Sequence, residues 1–177
     1  VFARLTLVPR LELPPGAPAA PDVAGALSIA ADQVQGVCFA GVGLPFCLIR
    51  LADRAAVDQA TLNRNAWATA FDGAWSRNLY LYAGDTAPGG QLYARMFAPA
   101  LGVEEDPATG AAAAALASML TLQHSANSAS LAWRVEQGVR MGRPSAIEMA
   151  AEKRDGELVT VSVGGYSVIV GEGAMSL

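Results

Sequence analysis

The sequence is short of the residues that most often carry surface chemistry: of 177 residues one is histidine, one is lysine and two are cysteine. Neither Cys38 nor Cys47 stands at metal-ligand spacing or beside the lone His124, so no metal is expected. Both lie in apolar stretches and read as buried reduced thiols of a cytoplasmic protein. Eleven of the twelve basic residues are arginine, with Lys153 the exception, a bias that reads as genome composition and not as chemistry. With a net charge of −4 and acids and arginines scattered along the chain, there is no basic stripe, which excludes nucleic acid as a partner. No apolar run approaches the roughly 20 residues of a membrane span. Internal repeats are absent, as is any phosphate loop: GVGLPFC has neither the spacing nor the lysine.

What is present is apolar: 53% of residues, enough for one domain to bury a core. The chain opens on VFARLTLVP, a strand, and on Val1 in place of an initiator methionine, which suggests a piece of something longer. PPGAPAAP (residues 14–21) is the one proline-rich segment and suits a crossing linker, with a boundary near Ala20. Asp22 is expected to cap a short helix through Ala31. GVCFAG and PFCLIRL read as two β-runs broken at residues 43–45, and residues 54–73 show helical spacing as one amphipathic helix ending at Gly73. NLYLYAG and QLYARMFAP form a hairpin across DTAPGG. After residue 123 the pattern is all strand: LAWRVEQG, AIEMAAE, LVTVSV and, beyond Gly164 and Gly165, YSVIVGEG.

Between these halves lies VEEDPATGAAAAALASML, residues 103–120. Asp106 or Thr109 can cap a helix there, Pro107 tolerates a missing N–H, and the alanines propagate it. That helix is apolar on every side, which places it inside the fold, with strands around it. The pattern predicts an α+β domain in which a mixed, mostly antiparallel sheet curls around one central buried helix. A helix start gathers unpaired N–H groups and a positive dipole end, so Gly110 and Ala111 would leave those amides open to a carboxylate. Glu104 and Glu105 read as solvated charges, and His124 as a cap at the helix's far end.

Three segments in order, RMFAP (95–99), VEEDPATGAAAAALA (103–117) and EQGVRMGRPSAIEM (136–149), together with the VGGYSVIVGEGAMSL ending, resemble the PhzF family, the phenazine-biosynthesis-like isomerases with a diaminopimelate epimerase-like fold. The resemblance implies a two-lobed protein of which residues 21–177 are the C-terminal lobe, and residues 1–20 the last strand and linker of a missing N-terminal lobe. It also implies a cofactor-independent isomerase or epimerase that moves a proton on a small carboxylate-bearing metabolite in the cleft between the lobes. Homodimers are implied as well. Asp106 matches the family's aspartate that contacts the substrate and assists proton movement, with Thr109, Gly110 and Ala111 as substrate-binding positions. The general acid/base glutamate belongs to the absent lobe. One departure stands out: Ala111 replaces the serine that usually follows DPATG. The competing expectation is a non-catalytic small-acid-binding or interaction subunit.

Overall fold

The structure, a computed structural model, describes residues 1–174. Ten strands make one sheet: β1 (Phe2–Leu7), β2 (Leu11–Glu12), β3 (Val34–Val42), β4 (Leu44–Leu51), β5 (Leu79–Gly84), β6 (Gln91–Ala98), β7 (Val103–Asp106), β8 (Ala129–Gln137), β9 (Ser145–Arg154) and β10 (Glu157–Tyr166). Their spatial order is β1-β10-β9-β8-β6-β5-β4-β3-β2, with β7 paired to β6 off this path. β4–β5 and β6–β8 are parallel and the other pairs antiparallel.

The order itself shows that the sheet is curled. β1 and β2 lie at opposite edges, yet only Val8, Pro9 and Arg10 separate them in the chain. Nine flat strands at about 4.8 Å spacing would hold the edges nearly 40 Å apart, whereas four Cα steps reach about 15 Å. The sheet therefore wraps almost onto itself, and α4 (Gly110–Gln123) fills the wrap. Every residue of this helix from Ala112 to Thr121 is buried. Five of the ten are alanine, which lets strand backbones approach from all sides.

The outer face of β3–β6 carries a second apolar layer under α1 (Ala20–Leu27), α2 (Arg54–Gln59) and α3 (Arg64–Ala70), built from Leu27, Phe39, Ile49, Val57, Phe71 and Leu81. Apolar alternation sorts each strand between the two layers. In β8, Leu131, Trp133 and Val135 face α4 while Ala132, Arg134 and Glu136 are exposed.

Several expectations are corrected. The helix at Asp22 runs from Ala20 to Leu27 and not to Ala31, because Pro21 pre-sets its first turn and Ser28 leaves it in the left-handed region at φ 55°. Asp22 sits in the first turn and makes no cap. The single helix over 54–73 is two: Asn63 Oδ1 accepts from the Ala66 amide at 3.1 Å and starts α3 afresh, a local bond that competes with helix continuation. β10 runs through Gly164 and Gly165 without a break. A Cβ on Gly164 would lie 2.8 Å from the Ala3 carbonyl, so this glycine admits β1. Beyond Tyr166 the expected strand does not form, and residues 167–174 hold no regular structure. Lys153, the single lysine, takes an inward position on β9 and its Nζ donates to the His124 carbonyl at 2.6 Å, closing the C-terminal end of α4.

Candidate active site

The site's position follows from two strand ends meeting on one neighbour. β8 runs parallel to β6 and β7 antiparallel to it, along the same edge, and both finish at the same place: Gln137 stands opposite Ala94 and Asp106 opposite Met96. α4 begins four residues after Asp106, so its N-terminus opens at this junction.

The turn between Asp106 and Gly110 is held by a side chain that sequence reasoning passed over. Gln137 has no exposed surface. Its Oε1 accepts from the Thr109 amide at 3.2 Å, and its Nε2 donates to the Asp106 carbonyl at 2.7 Å and to Thr109 Oγ1 at 2.9 Å. Thr109 in turn donates its hydroxyl to Asp106 Oδ2 at 2.6 Å. The next residue, Gly138, has φ 79°, and a Cβ there would lie 2.7 Å from the Pro107 carbonyl, so the β8 exit packs backbone against backbone on the turn. The signal for Gln137 was available: in LAWRVEQ it occupies the core-facing phase of the alternation, where an amide must find buried partners.

The four residues singled out in the sequence come together here, and what differs is the capping expected of Asp106 or Thr109. Asp106 closes β7 and is not the helix cap. Thr109 is the N-cap by position, yet its side chain bonds Asp106 and caps no amide. Gly110 and Ala111 occupy the first two helical positions, where N–H groups have no intrahelical carbonyl. Thr109 is buried, while Asp106, Gly110 and Ala111 are half-exposed. A cavity of about 650 Å³ lies elsewhere, on the outer side of the sheet beside Arg54, Tyr93, Arg134 and Glu136.

Glu105 is corrected from a solvated charge to a half-buried support. Its carboxylate receives both Nε and Nη2 of Arg95, each at 2.9 Å. Arg95 Nη1 also donates to the carbonyls of Val57 at 3.0 Å and Ala60 at 2.8 Å, tying the end of α2 to the strand that leads into Asp106. Glu104 remains on the surface and pairs with Arg64. Arg143 is exposed, in the connection whose backbone abuts Gly138. His124 is the C-cap of α4, at the opposite end from the site.

Chemically, the face offers unpaired amides for an anion and one carboxylate with a fixed donor on one oxygen. Among the described residues no group of three or more potential metal ligands gathers anywhere, and no helix is long and apolar enough to cross a membrane.

Comparison with known proteins agrees with this architecture. The profile of a family described as phenazine biosynthesis-like protein matches residues 15–173. An uncharacterized isomerase of Mesorhizobium japonicum is 31% identical over 162 residues, covering 86% of this chain and 53% of that protein. A trans-2,3-dihydro-3-hydroxyanthranilate isomerase of Pseudomonas chlororaphis is 43% identical over 83 residues, 47% of this chain and 30% of that one. Among solved structures, a PhzF-family phenazine biosynthesis protein of Bacillus anthracis superposes with a TM-score of 0.77 at 13% identity, over 93% of this chain and 57% of its own. A predicted epimerase of Pseudomonas aeruginosa gives a TM-score of 0.66 at 22% identity, covering 97% of this chain and 59% of its own. These two structures share the mixed, curled sheet. The chain spans about half the length of the Mesorhizobium relative.

Proposed function

This chain belongs to the phenazine biosynthesis-like protein family, and from that premise we propose that it is one lobe of a cofactor-independent isomerase that shifts a proton on a small carboxylate-bearing metabolite. The substrate's carboxylate docks on the amides of Gly110 and Ala111 at the positive end of α4. Asp106, one oxygen held by Thr109, uses the other to hold a polar group of the substrate and assist proton movement. The acid/base that takes the proton from carbon belongs to a second lobe facing this surface. Residues 1–20 lead in from that lobe while lending β1 and β2 to the edges of the present sheet, residues 21–177 are the present lobe, and the intact protein is a homodimer in the cytoplasm.

The observation that carries this reading is the buried Gln137 clamp on the turn from Asp106 to Thr109. A surface turn that only starts a helix has no use for a fully buried amide with all three of its hydrogen bonds on that turn. The name of the Pseudomonas relative gives an anthranilate derivative as its substrate, which supports a carboxylate-bearing class.

The test is solvent deuterium exchange. Intact protein in D₂O with a panel of small unsaturated or hydroxylated acids should introduce deuterium at one carbon, read by proton NMR. Asp106→Asn should slow that exchange by about 10²-fold or more, with a melting temperature nearly unchanged. A variant that simply unfolds would reduce Asp106 to a structural role.

A second reading, a non-catalytic small-acid-binding subunit, draws on Ala111, which presents no hydroxyl at the helix start. It predicts saturable binding of the same acids with no exchange.

A further inference from the structure

We infer that Gln137 is a positioning residue that sets the direction of hydrogen bonding at Asp106, acting through Thr109. The inference rests on the proposal that Asp106 meets the substrate.

The argument is one of donors and acceptors. A backbone N–H can only donate, so the atom of Gln137 facing the Thr109 amide must be the oxygen. A backbone carbonyl can only accept, so the atom facing the Asp106 carbonyl must be the nitrogen. The two contacts fix the amide's orientation independently and agree, which removes the usual O/N ambiguity of a glutamine. The second Nε2 proton then points at Thr109 Oγ1, 2.9 Å away. With a lone pair of Oγ1 occupied by that donor, the single proton of the Thr109 hydroxyl is directed to Asp106 Oδ2 at 2.6 Å.

The chain Gln137 to Thr109 to Asp106 is thus polarised one way. It reserves Oδ2 as an acceptor and fixes the carboxylate's rotation, so that Oδ1 is the oxygen left free of this bond. Burial of Gln137 and Thr109 keeps water from offering either group an alternative partner. Gly138, packed against Pro107, keeps the glutamine at the right height. A bulky or merely space-filling residue at 137 would satisfy none of these bonds.

The experiment uses intact protein labelled with ¹³C and ¹⁵N, the Gln137 side-chain signals being assigned by through-bond correlation to the residue's own backbone. Both Nε2 protons should exchange with solvent far more slowly than those of exposed glutamines. Thr109→Val should release one of them and leave the other, which is bonded to the Asp106 carbonyl, protected. On turnover, Gln137→Glu and Thr109→Val should each lower kcat by about 10²-fold, the cost typical of a misplaced catalytic group. The double variant should lose no more than either single one, because one residue acts through the other. Thr109→Ser, which keeps the hydroxyl, should restore most of the rate.

Gln137 amide protons that exchange as freely as exposed ones would overturn the inference. So would single losses that multiply in the double variant, or a Thr109→Ser protein as slow as Thr109→Val. The labelled amide needs no substrate and no Gln137→Glu protein that folds well, because wild type and the two Thr109 variants supply its comparison. If no acid exchanges deuterium, the isomerase reading fails alone, and the protection of the Gln137 protons still decides whether the clamp exists.

Discussion

Arg95 and Glu105 meet side by side, two parallel N–H···O bonds of 2.9 Å joining a strand of the sheet to the short strand that ends in Asp106. Both side chains are largely withdrawn from water, 9% and 15% exposed. Breaking such a pair from one side leaves a charge without a partner, and here it also strips the carbonyls of Val57 and Ala60 of their donor. Arg95→Met should therefore destabilise by about 3–5 kcal/mol. With a urea m-value near 2 kcal/mol/M, that lowers the denaturation midpoint by about 2 M. Arg64→Ala, which removes the partner of exposed Glu104, should leave the midpoint where it was. Equal midpoints for the two variants would contradict the difference in burial.

Alkaline pH should weaken the fold through one tyrosine in each apolar layer. Burial, followed by a 2.6 Å hydrogen bond to Asp58, pushes the Tyr93 phenol up to about 12 from an ordinary 10.0. Burial moves Tyr82 up to about 12 as well. A phenol whose pKa is raised by folding is neutral in both states below about pH 10, so its contribution is whole there. Between about pH 10 and 12 the unfolded chain releases the proton first, and stability falls by up to about 1.4 kcal/mol per pH unit for each tyrosine. Urea midpoints measured across that window should decline steeply in wild type and less steeply in Tyr93→Phe. A wild-type midpoint that is flat across the window would remove the argument.

Much of the architecture was legible because burial writes itself into periodicity. The helix after residue 109 is apolar all round and is surrounded in the structure. β8 alternates as its sequence does. The same alternation carried information that composition concealed: Gln137 and Lys153 stand in core-facing phase, and each closes one end of α4. Arg95 also sits within an apolar strand, at an outward position whose partners are remote in the chain. Glu105 gave no sign of its burial, because its partner is ten residues away across a connection whose pairing shifts register between Met96 and Ala98. The break between α2 and α3 was hidden for another reason, since helical spacing continues through it while Asn63 imposes a new cap.

Ala111→Ser restores the hydroxyl that the resemblance leads one to expect. Position 111 is half-exposed in the first helical turn, touching the core around α4 on one side and open on the other, so a serine can turn its hydroxyl outward and the fold should be retained. A hydrogen bond to a charged group is worth about 1.5–3 kcal/mol, or roughly one to two orders of magnitude in affinity. Calorimetric titration of the intact protein with carboxylates should show tightening on that scale for acids that fit the face. Unchanged affinity for every acid would mean that the ligand does not reach position 111.

Gly110→Ala and Gly138→Ala separate access from support. At Gly110 an added Cβ would have Val163 Cγ2 as its nearest neighbour at 3.6 Å, an ordinary contact, and alanine suits a helix better than glycine by up to about 1 kcal/mol. The melting temperature should hold or rise slightly. Yet Cα–Cβ bonds tilt toward a helix's N-terminus, so the new methyl leans over the amides that are to receive the carboxylate, and anion affinity should fall. At Gly138 the methyl would meet the Arg143 carbonyl and, at 2.7 Å, the Pro107 carbonyl in a backbone already at φ 79°, a strain of about 1–3 kcal/mol that disturbs the seat of the clamp on the turn. Stability and affinity should then fall together. Melting curves and carboxylate titrations on the two variants give the comparison directly: Gly110→Ala must lose affinity without losing stability, and if its affinity is unchanged the ligand's charge is not held by the start of α4.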